Sequence, residues 1–430
     1  MPNRTLLRII VSVFLAFVLQ AAAESSSPGA HWVSAWSTAV HAPLPFPGLP
    51  PSPVFENQTI RMVVRPTIGG SRLRIRFSNA FGTTALKIGS AHVALSSKDA
   101  GIAPESDRAL TFGGRPSVSI PAGAPILSDP VDLTMLPFSE LAISVYLPEK
   151  TASSTVHFWA QHESYISELG DFTAKQDIPN ATTKTSWYWL ADVEVWTPDR
   201  ASALVTLGDS ITDGVGAKQG EYSDWPDLLA DRLAKAQGVP GLSVVNEGIG
   251  GNRILHDGAG VSALARFNRD VLSQPGVSSL IVLEGINDIG WPHMKPRLPN
   301  GTTLKELPFT HEVVSAEDLI MGLQQIIERA HQHGIRVFGA TLTPYEGADY
   351  YSNDGEATRE AVNRWIRTSG AFDAVIDFDA AVRDPNHPTQ FREGYQSGDH
   401  LHPSATGYKA MAGAVDLSVL RRSKGISLDK

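Results

Sequence analysis

The chain has 430 residues, a net charge of -9 at pH 7 and no cysteine. That length exceeds one ordinary domain and predicts two. The acidic balance argues against nucleic acid or an anionic membrane as partner, and the missing cysteines exclude disulfides, thiolate nucleophiles and Cys-ligated metals.

Arg4 and Arg8 precede an apolar run from Ile9 to Leu19, and Ala21-Ala22-Ala23 follows. A basic start, an apolar stretch too short to span a bilayer and small residues read, in that order, as a secretory signal. We expect residues 1–23 to be a signal peptide. The mature protein is then secreted, or periplasmic in a Gram-negative bacterium, with no stable membrane insertion. Asn57, Asn180 and Asn300 each open an acceptor pattern for N-glycosylation, relevant only in a host with that machinery.

Residues 24–197 read as one β-rich unit. Short runs with β character recur at Ile60–Arg65, Leu73–Phe77, Ala91–Leu95, Val118–Ile120, Leu141–Tyr146 and Val156–Ala160. Leu73 to Phe77 alternates cleanly, with one face apolar and one basic. Gly, Pro, Asn and Ser punctuate the gaps, and no useful helical period appears. This predicts an all-β sandwich or jelly-roll-like domain. Trp32, Trp36, Phe158, Trp159, Trp187, Tyr188, Trp189 and Trp196 crowd this half. Core and interdomain packing is the expected use of such rings, and a stacking surface for sugars or aryl groups is the alternative. Pro43 to Pro53 is expected to be an ordered surface loop or polyproline segment.

Residues 198–430 change rhythm to strand, loop, helix. Apolar runs at Ala203–Leu207, Leu242–Asn246, Ser279–Leu283, Ile335–Ala340 and Ala374–Asp377 alternate with helical patterns at Ser223–Ala236, Ala263–Leu272, Ala316–His333, Glu356–Thr368 and Ser404–Leu417. The pattern predicts a five-stranded parallel sheet in a three-layer α/β/α unit.

The strands of a parallel sheet all end on one edge, so the loops after them meet. The first holds Gly208-Asp209-Ser210, the second Gly250-Gly251-Asn252, the third Gly285-Ile286-Asn287-Asp288. The last, before the closing helix, holds Asp399-His400-Leu401-His402. Alone, each reads as a turn or a helix cap; Asp399 with His402, joined by His400, could also bind metal, but no third and fourth ligand is apparent. In combination they supply acyl-transfer chemistry. A serine hydroxyl needs a base within hydrogen-bond reach, and the base needs an orienting carboxylate. Ser210, His402 and Asp399 fill those roles. A developing oxyanion needs preorganised donors. The backbone N–H groups of Ser210 and Gly251 and the Asn287 amide are suited, with Gly250 as the alternative glycine. Asp213 is expected to brace a loop. No cofactor and no metal are called for.

Those four blocks resemble the SGNH (GDSL) hydrolase family, which is defined by Gly-Asp-Ser, a glycine, Gly-x-Asn-Asp and Asp-x-x-His. The resemblance spans about Ala201 to Leu420 and implies the flavodoxin-like SGNH fold and serine-esterase activity. The β-rich unit resembles, by architecture alone, the accessory domain of some exported carbohydrate esterases and acylhydrolases. The expected activity is hydrolysis of carboxylic esters, short acyl groups such as acetyl on a carbohydrate, with a small-molecule or polysaccharide ester as substrate. A lipase or lysophospholipase is the alternative within the class. A non-catalytic carbohydrate-binding protein on a decayed esterase fold is the alternative outside it. The insert from Trp291 to Val314 is expected to wall the pocket. The sequence does not give the oligomeric state.

Overall fold

The computed structural model describes residues 29–44, 52–197, 200–236, 241–294 and 311–421. The signal segment 1–23, Asn300, most of the 291–314 insert and most of the proline-rich stretch lie outside the described residues.

The N-terminal half is built from two larger antiparallel sheets. One runs in the order His31–Ser37, Leu190–Thr197, Gly70–Ser78, Val131–Met135, with Pro125–Leu127 also paired to Gly70–Ser78. The other runs Thr182–Lys184, Ser164–Leu169, Gln58–Val64, Leu141–Leu147, Ser90–Leu95, Arg108–Ala109. Alternation sends Leu73, Ile75 and Phe77 of the first into one buried cluster with Ile60, Met62, Ile143 and Val145 of the second. The result is a sandwich. The basic face of the same strand is only partly solvated. Arg74 and Arg76 reach the fully buried Glu194 at 2.6 and 2.5 Å, and Arg76 also lies 3.3 Å from buried Asp192.

The Val156–Ala160 run departs from expectation. Only Val156–His157 forms a strand, after which the chain turns sharply, with φ of +55° at Trp159 and +57° at Gln161. Of the aromatic residues, Trp187, Tyr188 and Trp189 are buried, as packing predicts, whereas Trp159 is 44% exposed.

The C-terminal half holds a parallel sheet in the order Leu242–Gly248, Ser202–Gly208, Val277–Leu283, Arg336–Ala340, Ala374–Ile376. Every residue of Ser202–Gly208 is buried, which explains its unbroken apolar character. By chain order the sheet reads 2-1-3-4-5, the flavodoxin-like arrangement. Right-handed crossovers then place Trp225–Lys235 on one face and Ala263–Phe267, Ala316–Gln332 and Asn353–Thr368 on the other. Trp225–Lys235 packs with Ala405–Ala414, and Ala316–Gln332 with Asn353–Thr368. Two details differ from the sequence reading. The helix from Ala263 becomes a π-helix over Asn268–Leu272, and a short helix, Phe378–Val382, follows the last strand.

The sandwich and the α/β unit share a seam. The Ser34 N–H donates to the Pro275 carbonyl at 3.0 Å, Thr38 bridges Asn246, and Thr67 Oγ1 lies 3.0 Å from Ser243 Oγ. Among the described residues no helix is long and apolar enough to cross a membrane.

Arg266 fixes the working edge of the sheet. Its buried guanidinium donates to the Gly208 carbonyl at 3.0 Å, the Glu247 carbonyl at 2.7 Å, Asn252 Oδ1 at 2.9 Å and Asp270 Oδ2 at 3.0 Å. Removing a buried ionic partner costs ~3–5 kcal/mol. Arg266→Ala should therefore lower unfolding stability in urea by about that amount. Arg266→Lys should not restore it, because an ammonium cannot reproduce the planar fork.

Candidate active site

Ser210 opens a one-turn helix, Ser210–Asp213, directly after the first strand of the parallel sheet. Asp209 is the N-cap, its Oδ1 accepting the Ile211 N–H at 2.9 Å. Gly208 is required by close approach. A Cβ there would lie 2.1 Å from Thr212 Oγ1 and 2.5 Å from the Leu283 carbonyl.

His402 Nε2 lies 2.8 Å from Ser210 Oγ, and His402 Nδ1 lies 2.5 Å from Asp399 Oδ2. The other carboxylate oxygen of Asp399 accepts the Leu401 and His402 N–H groups at 3.0 and 2.9 Å. This local turn aims the carboxylate at the imidazole across the three-residue spacing. Burial alone would raise the Asp399 carboxyl. The hydrogen bond and charge of His402, with the two N–H groups, outweigh it and hold the carboxyl well below the usual range. His400 is turned away at φ +61°, its ring against Gly347.

The glycine loop presses on the serine turn, with the Ile249 N–H donating to the Gly208 carbonyl at 3.1 Å. The Gly250 N–H is taken by Asp213 Oδ2 at 3.0 Å. Asp213 thus braces the loop. Gly251 follows at φ +78°, where a Cβ would also meet Ala259 Cβ at 2.7 Å. Among the described residues no acceptor takes the N–H of Ser210 or Gly251. Asn287 is buried on the short helix Ile286–Gly290. Its amide donates one hydrogen to the Asn252 carbonyl at 3.0 Å, and its Oδ1 accepts from Tyr350 at 3.3 Å. That leaves one amide hydrogen beside the glycine loop. Asp288 accepts the Ile254 and Leu255 N–H groups at 2.8 and 3.1 Å, and burial raises its carboxyl to about 6.

All five site residues named from the sequence meet at one edge. Sequence reasoning missed Arg266, Asn252 and Tyr350, which hold them. Asn252 already lies in the glycine block, but the sequence assigns it no role there. It also missed His157 of the sandwich, whose Nε2 lies 2.9 Å from Asp213 Oδ1. No local pattern signals a contact that crosses from one folding unit to another. Chemically, an Asp–His–Ser hydrogen-bond chain beside unpaired N–H donors can activate a hydroxyl and stabilise an oxyanion.

Residues 206–410 match the GDSL-like Lipase/Acylhydrolase family. The matched stretch lies within the α/β unit, which thus carries a GDSL-like lipase/acylhydrolase domain, and this supports hydrolase activity in general. Similar solved structures include a putative lipolytic protein of the G-D-S-L family from Desulfitobacterium hafniense, at 22% identity over 50% of this chain and 97% of that one, TM-score 0.35. A catalytic mutant of an acetylxylan esterase from Geobacillus stearothermophilus is 20% identical over 51% and 95%, TM-score 0.37. A putative acylhydrolase from Bacteroides fragilis is 17% identical over 51% and 86%, TM-score 0.35. No curated protein matches the chain.

A lowered aspartate contributes stability that is present above its unfolded value, ~4, and is lost as pH falls through the folded one. The melting temperature of Asp399→Asn should therefore trail that of the native protein by a constant margin near neutrality. Below about pH 4 the two curves should draw together. A margin that persists into acid would remove the contact with His402 as its cause.

Proposed function

We propose that this protein is a secreted serine esterase that hydrolyses carboxylic esters through Ser210, His402 and Asp399, with short acyl groups such as acetyl on carbohydrate as its substrates. The observation that carries the reading is the continuous hydrogen-bond chain from Asp399 through His402 to Ser210 Oγ.

Ser210 Oγ attacks the ester carbonyl carbon while His402 Nε2 takes its proton. Asp399 fixes the tautomer by accepting from Nδ1 and stabilises the imidazolium as it forms. The Ser210 and Gly251 N–H groups and the Asn287 amide receive the oxyanion. Collapse of the tetrahedral centre expels the alcohol, which leaves with the proton from His402. Water then attacks the acyl-serine by the same route, releases the carboxylic acid and restores Ser210. None of these steps requires a cofactor.

Export is part of the proposal and rests on the order of charges, apolar run and alanines in residues 1–23. The carbohydrate assignment is supported by export, by a β-sandwich joined to the hydrolase unit, and by aromatic rings close to the shared seam. A release assay comparing acetylated xylan, p-nitrophenyl esters of graded chain length and phospholipid discriminates it from a lipase.

Ser210→Ala should lower p-nitrophenyl acetate hydrolysis at least ~10³-fold without changing the circular dichroism spectrum. Turnover retained by that variant would sink the assignment. Asn287→Ala should cost ~10²–10³-fold, mostly in kcat, because the oxyanion exists only after attack.

A further inference from the structure

Trp159 is the one ring of the sandwich's aromatic group that the fold holds out rather than in. Around it His157 and Ala160 are buried and Phe158 is partly buried, while Trp159 remains 44% exposed. The backbone is pinned on either side. His157 Nδ1 lies 2.9 Å from the Ala39 carbonyl, the Phe158 N–H donates to His41 Nε2 at 3.1 Å, and the Ala160 N–H to the Thr185 carbonyl at 3.0 Å. The Gln161 carbonyl accepts from the Gly220 N–H of the α/β unit at 2.8 Å. Between these anchors Trp159 sits at φ +55°, a region that costs a bulky residue energy. Neither the strained backbone nor the exposed indole benefits folding.

The ring's location supplies the reason. A Cβ built on Gly250 would lie 2.9 Å from both Cε3 and Cζ3 of Trp159, so the indole edge rests against that glycine. Gly250 is one residue before Gly251, and its loop is bonded to the serine turn through Ile249. At the next residue of the same loop, Trp291 Nε1 donates to the Gly251 carbonyl at 3.3 Å. The sandwich thus delivers an aromatic plane to the rim of the ester site, in fixed register with it.

We propose that Trp159 is a stacking platform for the sugar ring of the alcohol portion of the ester, and so a specificity-determining residue contributed by the β-rich unit. The proposal rests on the carbohydrate-ester reading given above. An acetyl group is too small to need such a surface, so the large remaining part of the substrate is the alcohol. A half-exposed indole suits a pyranose, whose C–H face is apolar and whose hydroxyl edge stays in water. A long acyl chain would instead require enclosure.

The test compares kcat/KM for an acetylated xylo-oligosaccharide with that for ethyl acetate, whose alcohol has no ring, in the native protein, Trp159→Ala and Trp159→Phe. The ratio of the two should fall about tenfold in Trp159→Ala, chiefly through KM for the sugar ester, and recover in part in Trp159→Phe. Should Trp159→Ala fail to fold, a smaller fall in the same ratio for Trp159→Phe carries the comparison. An unchanged ratio in a folded variant overturns the platform. So does a loss that follows acyl length, read from ethyl acetate against ethyl octanoate. Native protein that cleaves ethyl acetate while Trp159 variants keep the ratio leaves the esterase reading standing and removes only the platform. Native protein that cleaves neither ester removes both.

Discussion

The site depends first on a buried cation. The two strands that carry the serine turn and the glycine loop present buried carbonyls at their last rungs, at Gly208 and Glu247. Arg266 donates to both and to Asn252 as well. Parallel neighbours in a sheet are held by ladder bonds only as far as the ladder runs. Beyond the last rung something else must set the distance between one loop and the next. A planar fork with several donors does so with little play. Asn252 then accepts the Asn287 amide hydrogen at its own carbonyl, so the third loop takes its position from the second.

The sandwich enters the same arrangement through two neighbouring histidines whose surroundings shift them in opposite directions. His157 faces the Ala39 carbonyl at Nδ1 and Asp213 at Nε2, so the geometry favours protons on both nitrogens. Burial opposes that charge, but Asp213 outweighs it and the pKa is raised. His41 instead accepts the Phe158 N–H at Nε2, and burial, with the neighbouring His157, pushes its pKa down to about 3. His157 belongs to the seam: it holds Asp213, and Asp213 holds the Gly250 N–H. The β-rich unit is therefore structurally continuous with the edge that carries the glycine loop.

How much of this could be read from residues alone follows from locality. The strand and helix runs of the α/β unit were readable because burial on both faces gives unbroken apolar strands and because Gly334 closes its helix at φ +70°. The serine, histidine, aspartate, glycine and asparagine were readable because each sits in a short pattern after a strand or before a helix. Arg266 reads like one more helix residue, since apart from Asp270 its partners lie in other elements. The Val156–Ala160 run has strand composition but turns after two residues, under constraints from His41, Thr185 and Gly220. Tertiary hydrogen bonds override local β preference there. The aromatic cluster posed the same difficulty. Composition cannot separate Trp189, buried beside Phe55, from Trp159, held at the rim.

One device recurs in all four loops. Each carries an aspartate, or meets one from a neighbouring loop, whose carboxylate accepts backbone N–H groups: Asp209 from Ile211, Asp213 from Gly250, Asp288 from Ile254 and Leu255, Asp399 from Leu401 and His402. Burial pushes the carboxyls of Asp209 and Asp288 up, so these groups sit where their charge is costly. Hydrogen bonds to a carboxylate are stronger than those between neutral groups, and they fix loops that have no ladder to hold them. Asp399 also reaches the His402 imidazole, and that contact holds its carboxyl below the usual range. The same residue type thus does different jobs that burial and partners separate: Asp209 and Asp288 hold backbone in place, Asp213 holds backbone and His157, and Asp399, half in water and against His402, stays ionised where the proposed chemistry needs a permanent negative charge.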